Sequence, residues 1–324
     1  MQREPSSEFI TVQGAQSSLR SGIVDAHNHL WIAPLDRVAS HLPHVDDEDL
    51  LQSNLASFKA IGGSAILDAQ PGTGCGRDGR RLEALSAATD VTIFACTGFH
   101  RRQYYPGNAP LFTRSSTEVF DHFTRELDSS LEECSDVPVP VRAGYLKIAA
   151  ADSFDETPTH LLEAAAAAAV ETGALLAVHT ERGAAAEDLL AALLKLKVDP
   201  DRVMLCHMDK RPDAGLHLEL ARSGVLLEYD TFHTPKYNPD DNVWPLLQSM
   251  LEENYAGSIA IGTDMAYSST WASSGGNSLA NRHTAIRSQL QQAGWDAETI
   301  SRLQGSNILN RLSRRSGERK GATA

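Results

Sequence analysis

The chain has 324 residues, 42% of them apolar and 22% charged, with a formal net charge of −13 at pH 7. That is material for one large core or two average domains, in a balance ordinary for a globular protein. The acidic surface and the lack of Lys/Arg runs exclude nucleic acid and anionic membrane as partners, because neither counterion release nor surface attraction has a footing. The one basic cluster, Arg311, Arg314, Arg315, Arg319 and Lys320, reads as a solvated C-terminal end. Cys75, Cys96, Cys134 and Cys206 form no CxxC pair, which argues against a disulfide framework and for a reducing compartment. Met1–Glu8 has no apolar leader core and no apolar run spans a bilayer, so the sequence reads as soluble and cytoplasmic.

Taken in chain order, residues 1–21 are polar and read as a strap or loose end. The first apolar run, Gly22–Ala26, is followed at once by His27-Asn28-His29. A helical pattern over Asp47–Ile61 leads to a second run, Gly63–Asp68, and a third, Val91–Cys96. Thr117–Cys134 is helical in period and precedes Ala143–Ala149, an apolar run that contains Lys147. The helix Thr157–Thr172 is Ala-rich, with Thr157-Pro158 as its start and Gly173 as its stop. Ala174–Val178 then ends in His179, and after a helical stretch Arg182–Leu196 the run Arg202–Cys206 ends in His207. Val225–Tyr229 is followed by the helical segment Asn242–Asn254, and Ser258–Gly262 delivers Thr263-Asp264. Asp296–Arg315 reads as a terminal helix.

Eight strand-like runs alternating with helical segments predict an α/β protein, a single (β/α)8 TIM barrel with a short N-terminal strap and a C-terminal helix. The domain assignment is a strap over 1–21, one barrel over 22–315 and a polar tail over 316–324. In such barrels the chemistry sits where strands end. His27 and His29 are i and i+2, so both project to one side, each offering a nitrogen to a cation. His179, His207 and Asp264 stand at three further strand ends. Taken singly, a hydrogen-bonded core histidine explains His179 or His207 better. Together, four His, one Lys and one Asp at the ends of strands 1, 4, 5, 6 and 8 make a metal site. His41, His44, His122, His160 and His217 fall in loops or helices and receive no role. An ammonium buried in an apolar strand is unfavourable. Lys147 therefore reads either as snorkelling to the strand end or, beside the other ligands, as a carbamate whose two oxygens bridge two cations.

The sequence resembles the phosphotriesterase-like family of the amidohydrolase superfamily, which includes phosphotriesterase-related proteins and lactonases. The resemblance is carried by Asp25-Ala26-His27-Asn28-His29, Leu146-Lys147-Ile148-Ala149, Val178-His179-Thr180-Glu181, Cys206-His207-Met208-Asp209-Lys210 and Gly262-Thr263-Asp264-Met265, one per strand end and in order. Thr97-Gly98-Phe99-His100 and Tyr229-Asp230-Thr231-Phe232 are similar as well. The resemblance implies two divalent metal ions, Zn2+ in many members. His27, His29 and Asp264 would hold the more buried one and His179 and His207 the more exposed one, with carboxylated Lys147 (N6-carboxylysine) and a hydroxide between them. It also implies ester, lactone or phosphotriester hydrolysis, and the loop Thr234–Pro239 is similar to those of members that act on phosphorylated sugar lactones. Asp264 is the expected proton acceptor, His233 its relay partner, and Asp209 and Asp230 the residues that orient ligands or loops. Tyr105 (or Tyr104), Lys236 and Arg282 are the expected substrate contacts, with Arg101, Arg102 and Arg182 as further cations of the mouth. The family commonly has Glu between the two strand-1 histidines, where Asn28 stands here. The partner is a small-molecule ester or lactone; a homodimer is compatible with the family. Two alternatives stay open: an organophosphate phosphotriesterase, and a mononuclear zinc deaminase of the same superfamily, against which Lys147 argues.

Overall fold

The computed structural model describes residues 7–36, 38–39, 41–271 and 278–315. Eight parallel strands follow one another around a ring: β1 Ile23–Asn28, β2 Gly63–Asp68, β3 Thr92–Gly98, β4 Ala143–Ala149, β5 Leu176–His179, β6 Val203–Cys206, β7 Leu226–Tyr229 and β8 Ile259–Ile261. Helices α1 Glu48–Ala60, α2 Gly79–Thr89, α3 Ser116–Asp128, α4 Thr159–Thr172, α5 Ala186–Lys195, α6 Ala214–Arg222, α7 Val243–Glu252 and α8 Leu279–Gln292 succeed the strands one by one. The protein is a (β/α)8 barrel. No helix of the described residues is long and apolar enough to cross a membrane.

Alternation along the strands sets two cores. Val24, Ala26, Leu67, Phe94, Cys96 and Tyr145 point inward with Ala177, Met204 and Leu226 and fill the barrel; a larger shell of Leu, Val, Ile and Ala lies between strands and helices. The alanines of α4 serve that shell, letting the helix lie close on the sheet. Thr157 does not cap α4. Its hydroxyl accepts the Ala151 N–H at 3.1 Å and so holds the loop after β4, while Pro158 takes the capping position and Gly173, φ 65°, stops the helix. The predicted helix Thr117–Cys134 ends early, at Asp128, and the predicted Arg182–Leu196 begins late, after a turn with positive φ at Arg182, Gly183 and Ala185.

The underside departs furthest from expectation. Ser7–Thr11 and Gly14–Gln16 form an antiparallel hairpin, and Ser7–Glu8 pair with Arg314–Arg315. The terminal segment is two short helices, α9 Ala297–Ser301 and α10 Asn307–Leu312, joined through a kink at Gln304 and ending in that strand, rather than one helix to Arg315. Two members of the basic cluster are tied to the fold rather than solvated. Arg314 is buried and donates to Ala143 O and Gly144 O at 3.1 and 3.0 Å, and Arg311 bonds Asp201. Arg319, Lys320 and the rest of the tail 316–324 lie outside the described residues, as do residues 1–6. All four cysteines are buried and free.

Candidate metal centre

β8 is short, and its join to β1 is made at the mouth: the N–H groups of Thr263 and Asp264 both donate to His27 O, at 3.1 and 3.0 Å. Side chains sew the same seam. Asn28, fully buried, donates from Nδ2 to Asp25 Oδ2 (2.9 Å) and Thr263 Oγ1 (2.7 Å), and its Oδ1 accepts from the N–H groups of His29 (2.9 Å) and Met265 (3.2 Å). Thr263 Oγ1 donates to Asp25 Oδ2 at 2.6 Å, and His283 on α8 contacts the same oxygen. All four polar positions of Asn28 are thus used. A carboxylate in its place would stand against Asp25, which explains an amide where the family commonly has Glu.

The seam brings His27, His29 and Asp264 together. Asp264 Oδ1 lies 3.8 Å from His27 Nε2 and 3.6 Å from His29 Nε2. Lys147 Nζ, 1% exposed, lies 3.1 Å from His27 Nε2. Register explains its depth: Lys147 pairs with Gly98 and Ala177, two residues below His179. Gly98 (φ 134°) is required there, since a Cβ would stand 2.0 Å from Lys147 O. The rings continue inward around the mouth, His27 to His207 at 4.5 Å and His207 to His179 at 4.7 Å between centroids. The four histidines, Lys147 and Asp264 therefore converge as one constellation. His207 (φ 64°) and Asp264 (φ 44°) both hold left-handed backbone, an unfavourable conformation that clusters at functional sites.

Burial lowers the basicity of His27, His179 and His207, with Lys147 adding to the effect at His27 and Lys210 at His207. Burial pushes Asp264 up, but His207, His29, Lys210 and His27 together hold it well below the usual carboxylate range. Three further carboxyls brace the layer beneath. Asp230 is hydrogen-bonded to His207 Nδ1, which holds the ring's orientation. Asp209 Oδ2 accepts from the N–H groups of Asp230 and Thr231, at 3.0 and 2.7 Å, and from the Thr231 hydroxyl. Glu228 accepts the His207 N–H at 2.9 Å. Burial raises Asp230 to about 6 and Asp209 to about 7. Asp230 thus contacts one of the four histidines, and Asp209 the loop that follows β7.

The centre forms the floor of a cavity of about 920 Å3. His233, Lys236 and Arg282 line it, but Tyr105 does not: it is buried beside Cys75 and Ala109, its oxygen accepting the His100 N–H, and Tyr104 takes the place in the wall. His233 Nε2 lies 3.0 Å from Arg282 O, so its ring is anchored to α8, and it is not brought against Asp264. Lys210 occupies that position. Its Nζ lies 3.6 Å from Asp264 Oδ2 and 3.6 Å from Asp230 Oδ1. The sequence showed Lys210 only as part of a motif; its place three residues after His207, on the turn leaving β6, is the signal that marks it. Arg101 is not available to a substrate, since it is paired with Glu181 and Asp152, and Arg102 bonds the carbonyls of Pro106 and Gly107.

A constellation of histidines, a lysine and an aspartate at the C-terminal mouth of a (β/α)8 barrel is a candidate metal site, at the face where such barrels carry their chemistry. The profile of the phosphotriesterase family matches residues 7–308, and the chain belongs to that family. It is 28% identical over 262 residues to a phospho-furanose lactonase of Mycoplasmopsis synoviae, covering 75% of this chain and 70% of that one. It is 26% identical over 244 residues to an N-acetyltaurine hydrolase of Xenopus tropicalis, covering 69% and 68%. In fold it is similar to the crystal structure of an amidohydrolase from Mycoplasma synoviae, with a TM-score of 0.87, 22% identity and coverage of 96% and 93%.

Proposed function

We propose that the chain is a hydrolase with two divalent cations, opening a lactone or cleaving a carboxylic ester whose substrate carries an anionic group, as a phosphorylated sugar lactone does. The observation that carries the reading is Lys147. Its amine is buried, its hydrogen-bonding neighbour is an imidazole nitrogen, and among the described residues no carboxylate lies within ion-pairing distance. A bare ammonium is poorly matched to that place. A carbamate fits it, because the surrounding neutral imidazoles and Asp264 are then all donors to the same two cations. The donor set of four His, one Asp and a carbamate suits zinc. His27, His29 and Asp264 would hold one ion, His179 and His207 the other, with Lys147 shared.

Bound cations supply a hydroxide nucleophile at neutral pH and polarise the scissile carbonyl. The chain's own residues do the rest. Asp264 is an ionised carboxylate placed to accept the proton of the attacking oxygen. Lys210, close to its other oxygen, holds that carboxylate in one orientation. Asp230, against His207 Nδ1, keeps that ring in one tautomer. The lactonase relative supports this substrate class, and Lys236 in the wall supplies charge for the substrate's anion. A neutral phosphotriester leaves that charge unused, which disfavours the organophosphate reading.

Purified protein loaded with Zn2+ is expected to bind two ions per chain by elemental analysis and to hydrolyse phosphorylated sugar lactones. Lys147→Ala should lose at least one ion and about a thousandfold in kcat, partly restored by a short carboxylate such as propionate. Two ions and full rate in that variant without added carboxylate would overturn the bridging role; one ion in the native protein would favour the mononuclear deaminase.

A further inference from the structure

Strand β7 carries one charged residue. Leu226 and Glu228 are two apart, so both face the barrel's interior, while Leu227 and Tyr229 face the helices. Glu228 is fully buried, an unfavourable place for a carboxyl without partners. One of its oxygens is used: Oε2 accepts the N–H of His207 at 2.9 Å, at the point where that residue holds left-handed backbone. The other, Oε1, has no hydrogen-bond partner among the described residues. Gly262 makes room for the group, since a Cβ there would stand 2.3 Å from Glu228 Oε1 and 2.8 Å from His27 Cβ. The histidines differ in what meets their outer nitrogens. His207 Nδ1 is bonded to Asp230, and His29 Nδ1 lies 3.0 Å from Gln70 Oε1. His27 turns Nε2 to the centre, 3.1 Å from Lys147 Nζ, and Nδ1 away from it. That Nδ1 makes no hydrogen bond among the described residues, and Glu228 Oε2 faces it at 3.8 Å. Two buried polar groups with unused capacity thus stand side by side, and a swing of the carboxyl by about an ångström joins them.

We propose that Glu228 is a positioning residue for both ions of the centre: its carboxyl accepts the His27 Nδ1–H as well as the His207 N–H, and so aims a ligand of each ion. The inference deepens the two-ion reading above and rests on it. A carboxyl behind a ligating imidazole fixes the ring's tautomer and orientation and strengthens the nitrogen that faces the metal. Asp230 and Gln70 each meet one histidine. Of the three groups, Glu228 alone meets a ligand of the more buried ion and a ligand of the more exposed one. It acts through those histidines and not on the substrate.

The first measurement is made on the full chain without metal. Nitrogen-15 spectra of the histidine rings should place the His27 proton on Nδ1, shifted downfield and slow to exchange with water, as a hydrogen-bonded N–H is. Glu228→Leu should return that resonance upfield and speed its exchange, whereas Glu228→Gln, whose amide oxygen still accepts, should keep it. The second measurement is zinc affinity by chelator competition. Glu228→Leu should weaken both ions by about 10-fold to 100-fold, Glu228→Gln should recover most of that loss, and Gln70→Leu should weaken one ion only. A native His27 proton on Nε2, or one that exchanges freely, would overturn the proposal even if Glu228→Leu does not fold. So would a Glu228→Leu protein weakened for one ion alone. A third zinc ion in the native protein would overturn it too, because His27, Cys206 and Glu228 offer donor atoms within 4.8 Å of one another and the carboxyl would then be a ligand itself. Absence of zinc binding with the bonded Nδ1–H present would strike down the two-ion reading and the positioning role with it. Two zinc ions bound with no bonded Nδ1–H would strike down the positioning role alone.

Discussion

Each end of the barrel buries a cation, and the two are treated differently. At the underside, Arg314 points its guanidinium at the carbonyls of Leu127, Ala143 and Gly144 and ties the chain's end across the hairpin. At the mouth, Lys147 is buried more deeply, yet its neighbour is an imidazole that can itself serve as a donor to metal. A buried cation with carbonyls around it is a fastening. A buried amine among candidate metal ligands marks a candidate functional site. The same contrast holds for the backbone, because left-handed residues at the mouth include His207 and Asp264, two candidate ligands.

The comparison can be broken by separating activity from stability. The largest effect is expected from Asp264→Asn, which should lower kcat by at least about a thousandfold, or about 4 kcal/mol in barrier, while shifting unfolding free energy by less than about 1 kcal/mol, since Asn tolerates left-handed backbone well. Steady-state kinetics and denaturant titration measure both; a large loss of stability would mean the mouth is a fastening too. Next, Arg314→Met should do the opposite, leaving three carbonyls without their donor and removing about 2–4 kcal/mol of stability, with kcat of the folded fraction within about twofold of the native value. A parallel fall in kcat would show that the ends are not independent.

A smaller effect sharpens the contrast between the mouth and the outer shell. His217 on α6 contacts Tyr229 Oη at 2.6 Å and Arg211 O at 3.0 Å, and burial lowers it to about 4 from 6.5. Between those values the unfolded chain binds the proton and the folded one does not, so its contribution to stability is present above pH 6.5 and declines on acidification towards pH 4. His217→Gln should therefore be less handicapped at pH 5 than at pH 7, by about 2 kcal/mol, in urea titrations at the two values. An unchanged difference would show that the ring is already protonated in the fold.

What the sequence revealed and what it hid follow from the range of the forces involved. Strand ends were legible because burial on both faces writes uninterrupted apolar runs, such as Ala143–Ala149, and a His or Asp directly after such a run is conspicuous. The convergence of His27, His29, Lys147, His179, His207 and Asp264 followed from barrel geometry alone. The wall of the cavity was harder. Tyr104 and Tyr105 are adjacent, and only the three-dimensional path of their loop decides which faces the substrate. Lys210 was hidden because a lysine on a turn reads as solvated until Asp230 and Asp264 are found beside it. The anchor of His233 was hidden for a related reason: Arg282 O is 49 positions away. Arg314 looked like part of a charged tail because nothing local announces that three distant carbonyls await it.

The seam between first and last strands has a consequence for assembly. Asn28 and Thr263 meet across 235 positions of sequence, and the ligands beside them, His27 and Asp264, belong to opposite ends of the polypeptide. During synthesis the early histidines emerge long before the aspartate exists, so these side chains come together only once the eighth strand has docked against the first, and any ion they hold would span that joint.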